Sequence, residues 1–527
     1  MPQLFSVLAA WVVETQYFAS PVRTAGNTPA RTTSPKQHQH APRREVSRLY
    51  IGLLLLLTTP ALAQNQPPAV SLAQVIELAL SQSAVAQQAA TSRDQSYWQW
   101  RGYQANYRPQ LGLQGTLPGF SRAVTPVVQP DGTTDFRAVR INNSNLALTL
   151  TQNIGRTGGQ VFVASELQRF DDFNGGLKRY NNQPVAIGLT QPLGSFNNLK
   201  WARRLEPLRY QESQRLYVEE RETIAQRVTE LYFDVLQQQV NAEVASQNVQ
   251  ANEELLRIGQ ERYQLGRLSQ SDVLRLELNL LNARQAVAQG QLDAQNAAVE
   301  LQMYTGLPAE QLRLAVPEAA PRLAVPAGRA LAEAQQHRSV VLAFRRRLLE
   351  AERTVALARG STGFQATLAA NLGYVNQASN LWDTYAALQN QQQVRLTFAL
   401  PLVDWGRQKS IIKTAELTRR QVQTDVAQEE ASFALSVEVQ AAQLSTLAGQ
   451  LALTARADTL AQQRYAIAQA TYKVGRISLT DLTIASAEKD QARRTYILAL
   501  RAAWVAHYRL RALTLYDFER QQPLAAQ

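Results

Sequence analysis

The chain has no cysteine among its 527 residues. That excludes disulfides, thiolate chemistry, cysteine-ligated zinc and lipidation of an N-terminal cysteine. Histidine is nearly as scarce. Of four, His38 and His40 lie in the N-terminal segment, and His337 and His507 each stand alone on a helical pattern, where a packing or surface role is commoner than ligation. No G-x-S-x-G, P-loop or H-E-x-x-H pattern occurs, so there is no convergent titratable cluster for catalysis, and no cofactor or metal is expected. Charged residues make up only 18% of the chain. The formal net charge is +12, and the first 63 residues hold five Arg and one Lys against two Glu. The remaining Arg are scattered along helical stretches, which speaks against a nucleic-acid partner, because a binder concentrates its charge.

What is present begins with an export signal. Arg43, Arg44 and Arg48 precede the apolar run Ile51 to Leu57, and Ala61-Leu62-Ala63 supplies a small-x-small cleavage pattern before Gln64. The run is shorter than the roughly 20 apolar residues of a spanning helix. Residues 46–63 therefore read as a signal peptide, with the mature chain starting at Gln64. Residues 1–45 are rich in Pro, Thr and His without periodicity. Either they are a long disordered leader, or Val46 is the true start, read from an alternative initiation codon.

The mature chain repeats itself without a gap. Leu265-Gly266-Arg267-Leu268-Ser269-Gln270-Ser271-Asp272-Val273 returns as Val474-Gly475-Arg476-Ile477-Ser478-Leu479-Thr480-Asp481-Leu482. The same offset carries Tyr263 onto Tyr472, Ala283-Arg284 onto Ala492-Arg493 and Pro192-Leu193 onto Pro401-Leu402. A register held this long is two copies of a half-protein, not a short solenoid unit. Residues 64–306 form the first repeat and 328–517 the second, joined by a linker at 307–327 and followed by a tail at 518–527.

Each half mixes two periods. Leu146, Leu148 and Leu150 alternate with Ala147, Thr149 and Thr151, and Val185, Ile187 and Leu189 alternate with Ala186, Gly188 and Thr190. Strands are expected within 109–193 at Leu111–Leu117, Asn145–Gln152, Gln160–Gln168 and Pro184–Gln191. Within 364–403 they are expected at Phe364–Tyr374 and along Val394, Leu396, Phe398, Leu400 and Leu402. The rest reads as long helix over 71–107, 199–265, 270–305, 328–359, 407–474 and 478–516. A helix over 199–265 extends about 100 Å at 1.5 Å per residue. Helices 71–107 and 270–305 laid end to end match it, so each half is expected to be a long helical hairpin turning at 266–272 or 475–481, with its strands at the far end.

The turns have a reading from residue chemistry alone. Gly266 and Gly475 permit the left-handed backbone that ends a helix. Ser269 or Ser271, and Ser478 or Thr480, can cap the next one, with Asp272 and Asp481 in its first turn where the helix dipole favours negative charge. On the plainer view these residues are caps and nothing more. On the sharper view they sit at the mouth of a tunnel, where carboxylates from several chains gather in an acidic ring. Strands of this length with apolar and polar faces suit a bilayer only when their edges are closed. About six strand candidates fall short of the roughly eight in the smallest single-chain barrels, so several chains must contribute. A soluble β-sandwich on a helical stalk is the competing architecture.

The export signal, the strand pair ending in Gln191-Pro192-Leu193 and Leu400-Pro401-Leu402, and the duplicated Tyr-x-x-Gly…(Ser/Thr)-Asp motif resemble the TolC family of outer-membrane efflux factors over nearly the whole mature chain. The resemblance implies an α+β membrane protein: duplicated coiled-coil hairpins forming a periplasmic α-barrel, and a β-barrel built by a homotrimer in outer-membrane lipid. It also implies docking on a periplasmic adaptor protein and an inner-membrane pump, in an efflux or type I secretion system that catalyses no reaction. By the same resemblance Tyr472 and Arg476 hold the mouth shut around Asp272, Asp481, Ser271 and Thr480. Tyr263 and Arg267 take the matching places in the other half, and Pro192 and Pro401 mark the strand-to-helix junctions. The chain departs from the family in its four first-half strand candidates, where two are usual, and in Ile484, where many members carry an acidic residue. The rival function is a periplasmic or surface coiled-coil protein with a structural or adhesive role.

Overall fold

The computed structural model describes residues 69–307, 313–317, 321 and 324–524. The expected leader, signal peptide and mature start at Gln64 lie outside the described residues, as do parts of the expected linker and tail. Helices α1 (Leu72–Gln82) and α2 (Ala84–Ala105) lead into five strands: β1 (Gln110–Thr116), β2 (Phe120–Val128), β3 (Thr134–Ile154), β4 (Gly159–Asp172) and β5 (Leu177–Leu193). Helices α3 (Asn198–Gln264) and α4 (Gln270–Thr305) complete the first half. The second half comprises α5 (Ala327–His337), α6 (Ser339–Thr362), β6 (Gln365–Ala378), β7 (Gln389–Ala399), α7 (Arg407–Lys473) and α8 (Leu479–Thr514). A short hairpin, β8 (Tyr516–Asp517) with β9 (Gln522–Pro523), ends the described chain.

One antiparallel sheet joins the halves, because β5 of the first pairs with β6 of the second. Its order is β1-β3-β4-β5-β6-β7, with β2 also on β3. The register separates two chemistries, since successive side chains in a strand point to opposite faces. Leu113, Leu148, Ser165, Ile187, Leu372 and Val394 lie on one face, and Gly112, Thr149, Phe162, Gly188, Asn371 and Gln393 on the other. The first face is apolar where Leu111 and Leu113 of β1, Leu146, Leu148 and Leu150 of β3, Val161 and Val163 of β4, Val185, Ile187 and Leu189 of β5, Leu368 and Leu372 of β6, and Val394, Leu396 and Phe398 of β7 come together, while Gln, Thr, Asn, Gly and Ala dominate the second. Strand β2 was absent from the sequence reading. The final strand stops at Ala399, so Leu400 and Leu402 lie beyond it and are exposed. Pro401 follows immediately, and its missing N–H denies the ladder a donor.

The helical core lies midway along α3. Ile224, Val228, Leu231 and Val235 recur at the four-then-three spacing that keeps one stripe facing a partner helix. They are buried with Val75 of α1, Val437 and Leu444 of α7, and Ile497 and Leu500 of α8. Tyr232 and Phe233 are also fully buried, so here most of the α3 surface is enclosed, and Arg227 and Asp234 mark the side left to solvent. The Tyr232 hydroxyl lies 3.0 Å from the Val70 carbonyl oxygen and 2.6 Å from that of Ala315, holding the described part of the linker against α3.

The expected helices 71–107 and 328–359 are each broken by one extended residue, Ser83 (ψ 146°) and Arg338 (ψ 143°). At the first break the Ser83 N–H still donates to Ala79, while its hydroxyl accepts from the Ala86 N–H at 3.1 Å. At the second, the buried Glu219 of α3 pairs with Arg338 at 3.2 Å and accepts the Ser339 N–H at 2.7 Å. Neighbouring Glu222 takes both arms of Arg511 at 2.9 and 3.0 Å. These buried carboxylates are stabilised by charge-assisted bonds, without which their desolvation would cost several kcal/mol each, roughly.

His507 of α8 lies in this girdle against Trp504 and Tyr508. Burial and then the Arg511 guanidinium push its pKa down to about 4, against the opposing pull of Glu519 and Asp517. As pH falls below the unfolded value of about 6.5, the unfolded chain gains a proton that the folded chain refuses, so stability is lost between about pH 6.5 and 4. The thermal midpoint in detergent should therefore drop less from pH 7.5 to pH 5 in His507→Gln than in the parent. Equal drops would assign acid sensitivity to other groups.

Candidate functional site

Both helical hairpins turn through the same local device. At the end of α3 the Arg267 N–H bonds to the Arg262 carbonyl and the Gly266 N–H to that of Tyr263, each at 2.9 Å, with Gly266 at φ +68°. At the end of α7, Arg476 bonds to Thr471 at 3.1 Å and Gly475 to Tyr472 at 2.8 Å, with Gly475 at φ +77°. These paired bonds are a Schellman termination, which satisfies carbonyls the helix would otherwise leave open. An L-residue with a side chain in place of either glycine would meet a left-handed penalty of roughly 1–2 kcal/mol.

The following helices start on Ser269 and Ser478; neither Ser271 nor Thr480 is the capping residue. Each serine hydroxyl accepts the Asp272 or Asp481 N–H at 3.1 Å and donates to that aspartate's Oδ2, at 2.6 Å in the first turn and 2.7 Å in the second. Asp481 also accepts the Ser478 N–H at 3.3 Å, completing a capping box. Both aspartates thus perform the plainer of the two roles expected of them, a helix start supported by about 1 kcal/mol. Asp481, Ser271, Thr480, Tyr263, Arg267 and Arg476 are exposed, and Asp272 is half-buried.

The two hairpins are not equivalent. Tyr472 is buried with Leu276, Leu479 and Leu482, whereas its counterpart Tyr263 is 47% exposed. Arg262 of α3 makes the difference. Its Nη2 donates to the carbonyl oxygens of Tyr472 at 3.0 Å and Lys473 at 3.1 Å, and its guanidinium stands 5.0 Å from the centre of the Tyr472 ring. A cation from one hairpin therefore caps the negative end of the long helix in the other, where the dipole and the open carbonyls both favour it. Burial raises the Tyr472 pKa against the opposing Arg262 charge, and among the described residues its hydroxyl has no hydrogen-bond partner. Lys473 with Glu254 at 2.9 Å and Asn248 with Asp490 at 2.6 Å add further ties between the hairpins.

Gly259 lets the helices meet closely here. A Cβ at that position would come 2.5 Å from Leu276 Cδ1. Arg262 and Gly259 escaped the sequence reading because the repeat offset sets them against Thr471 and Ala468, so a search for matched residues passes over them. Departure from the repeat at these two places is the signal that could have found them.

At the other end of the long helices, Pro192 is the penultimate residue of β5, opposite Thr367, and Pro401 lies just beyond β7. Asn197 starts α3 by accepting the Lys200 N–H at 3.0 Å, and Asp404 accepts the Gln408 N–H at 2.8 Å at the start of α7. Among the described residues no group of His, Asp or Glu is arranged to hold a metal ion.

The family described as outer membrane efflux protein matches residues 145–307 and 330–514. Comparison with curated proteins finds no match. Among solved structures, the Campylobacter jejuni CmeC outer membrane channel is 14% identical with a TM-score of 0.60, covering 84% of this chain and 85% of that one. The Vibrio cholerae outer membrane protein VceC is 16% identical with a TM-score of 0.59, covering 86% and 96%. The open state of the Neisseria gonorrhoeae MtrE outer membrane channel is 15% identical with a TM-score of 0.56, covering 84% and 88%. At these identities the likeness is one of fold.

Arg262→Ala should loosen the α7 terminus specifically. The Gly475 and Arg476 amides are expected to exchange with solvent about fivefold faster, the equivalent of roughly 1 kcal/mol for a partly exposed charged hydrogen bond. The Gly266 and Arg267 amides of the other turn should be unchanged. Equal rates at all four amides in parent and variant would mean that Arg262 does not hold the second hairpin.

Proposed function

Since the chain belongs to the outer membrane efflux protein family, of TolC-like channels, we propose that it works as a homotrimeric exit duct whose helical tips form the periplasmic gate. It is an outer-membrane channel that extends into the periplasm, and it conducts without catalysing a reaction. The observation that carries the trimeric reading is the division of the sheet into an apolar and a polar face at one end of 67-residue helices. That division suits a wall between lipid and an aqueous lumen, and such a wall must be closed by more strands than one chain supplies. The periplasmic adaptor and the inner-membrane pump belong at the tips, about 100 Å away along the helices at 1.5 Å per residue.

At the tips, Asp272 and Asp481 line the aperture, with Ser271 and Thr480 beside them. Tyr263, Arg267 and Arg476 are exposed on the turns for contacts between copies, and Tyr472 fixes the second turn from within. The aspartates' part in capping is compatible with an aperture role, because each cap bond that their carboxylates accept engages Oδ2. Several such pairs around one axis focus a negative potential that draws multivalent cations. The repeats, at 64–306 and 328–517, would each contribute one hairpin to the tunnel wall.

Two measurements test this reading. In mild detergent, light scattering should give the mass of three protein chains, and a monomeric mass would overturn the trimer. Single pores in planar bilayers should be blocked by multivalent cations added on the helical side, at micromolar to millimolar concentrations, a rough range for carboxylate-rich sites. The double variant Asp272→Asn/Asp481→Asn should lose the block and remain trimeric, and Arg476→Ala should raise conductance. An unchanged block in the double variant would leave the aspartates as helix caps alone.

A further inference from the structure

The sheet occupies six strand positions, and both of its outer edges are open. At one edge, β1 and β2 act as a single bulged strand: β1 pairs with Asn145–Thr151 of β3, and β2 with Thr134–Asn142. Between them, Leu117, Pro118 and Gly119 stand opposite Asn143 and Ser144, one residue in excess. The opposite edge is β7, paired only through its β6 side. Every residue of β1 and of β7 is exposed, unlike those of the interior strands β4 and β5.

Three observations suit these edges to each other. The apolar face does not fade towards either one: Leu111 and Leu113 on β1, and Val394, Leu396 and Phe398 on β7, are all more than half exposed on that face. Both edge strands therefore carry a surface for lipid, and neither can leave its backbone groups unpaired there. Directions also agree, since β1 runs outward from α2 and β7 runs back into α7. An even number of alternating positions lets each copy meet the next antiparallel, whereas an odd number would force a parallel seam. Finally, the family match begins at Asn145, inside β3, so β1, β2 and the outer part of β3 lie outside the matched span, and β1 continues its apolar face with Leu111 and Leu113.

We infer that β7 of one copy pairs with the β1–β2 strand of the next, so that three copies close a barrel of three times six strands. The strand count rests on the trimeric reading above; the edge pairing does not. Eighteen strands tilted by roughly 40° enclose about 36 Å between opposite backbones, against about 24 Å if the β1–β3 hairpin stood outside the wall and left twelve. Beyond the wall, residues 134–140 of β3 pair with β2 alone, because β4 ends opposite Ile141. The three copies would therefore carry two-stranded ribbons reaching roughly 23 Å past the rim at the usual strand rise.

The absence of native cysteine gives a clean test. Paired cysteines are introduced at Leu111 or Leu113 with Val394, Leu396 or Phe398, and, for comparison, at Val163 on β4 with the same β7 positions. Trimeric mass by light scattering is checked before oxidation. Opposed residues on neighbouring strands lie within reach of a disulfide, while four strand positions separate β1 from β7 inside one chain. At least one β1–β7 pair should give covalent dimers and trimers on denaturing gels, and a cryo-electron microscopy section through the wall should show eighteen strands. A trimer in which no β1–β7 pair links overturns the proposal, and linkage from β4 would place the β1–β3 hairpin outside the wall. A mass other than trimeric overturns the strand count through the reading it rests on, and β1–β7 linkage in that species separates the two failures.

Discussion

A backbone N–H or C=O in hydrocarbon has no water to turn to, and each one left unpaired costs several kcal/mol, roughly. The sheet obeys this rule internally, with β3 to β6 paired on both sides, and leaves it unmet at two edges. For the barrel proposed above, a single chain would therefore be incomplete for a physical reason. Side chains sort an apolar from a polar face along the strands, and in the trimer proposed above other copies would supply the missing ladder. Once the strands form a ring, the helices that continue from β5 and β7 must also stand in a ring, because α3 begins at Asn198 and α7 at Arg407, a few residues beyond the strands. The closed wall proposed for the membrane would thus set the arrangement of everything below it.

The helices carry that constraint across the periplasm. A 67-residue helix cannot rely on local propensity alone for its position, since most helical stability comes from packing. The deepest packing is gathered midway along α3, around Val228, Tyr232 and Val235. It is also near here that α1 gives way to α2 and α5 to α6. A helix broken at one residue can follow the long helix on either side of a change in direction, and Glu219 supplies the charge that holds Arg338 in its extended conformation. Outside this girdle most ion pairs between helices are partly exposed, as with Arg284 and Glu253, and pairs of that kind contribute little. Rigidity is concentrated in the middle, and the tips depend on their own small contacts.

How much could be read in advance follows from the range of the interactions. The hairpin turns were legible because a left-handed glycine and a Ser-x-x-Asp start act within a few residues, and both recur at the same offset. Long helices were legible from the scarcity of Gly and Pro. The breaks at Ser83 and Arg338 were not, for neither residue disrupts a helix by itself and the charge that fixes Arg338 lies on α3. Strand β2 was hidden by Pro126 and by the polar residues between its apolar positions. Its partner Thr134–Asn142 has few of the aliphatic alternations that revealed the inner part of β3. At the tip, the aspartates were found and Arg262 was not. Its function is completed by carbonyls about two hundred positions away along the chain, where no local pattern points.

That last contact changes what the duplication means. Two equal hairpins repeated by three copies would approach sixfold symmetry at the mouth, with every turn free to move alike. Arg262 removes the equivalence, for it ties the second turn of each chain to its own first helix, while Tyr263 and Arg267 on the first turn stay exposed. In the trimer proposed above, contacts inside a chain and contacts between chains would thereby fall to different residues of what began as the same motif. If the first and second turns meet alternately around the axis, every second contact is already made within a chain, by a cation on a helix C-terminus that needs no partner copy. The remaining contacts are those between chains, and they involve exposed groups that water and ions can compete for. Movement at the mouth would then separate chains from one another while each chain keeps its two hairpins together. The moving unit would be the pair of hairpins, and the asymmetry between two nearly identical turns would make it so.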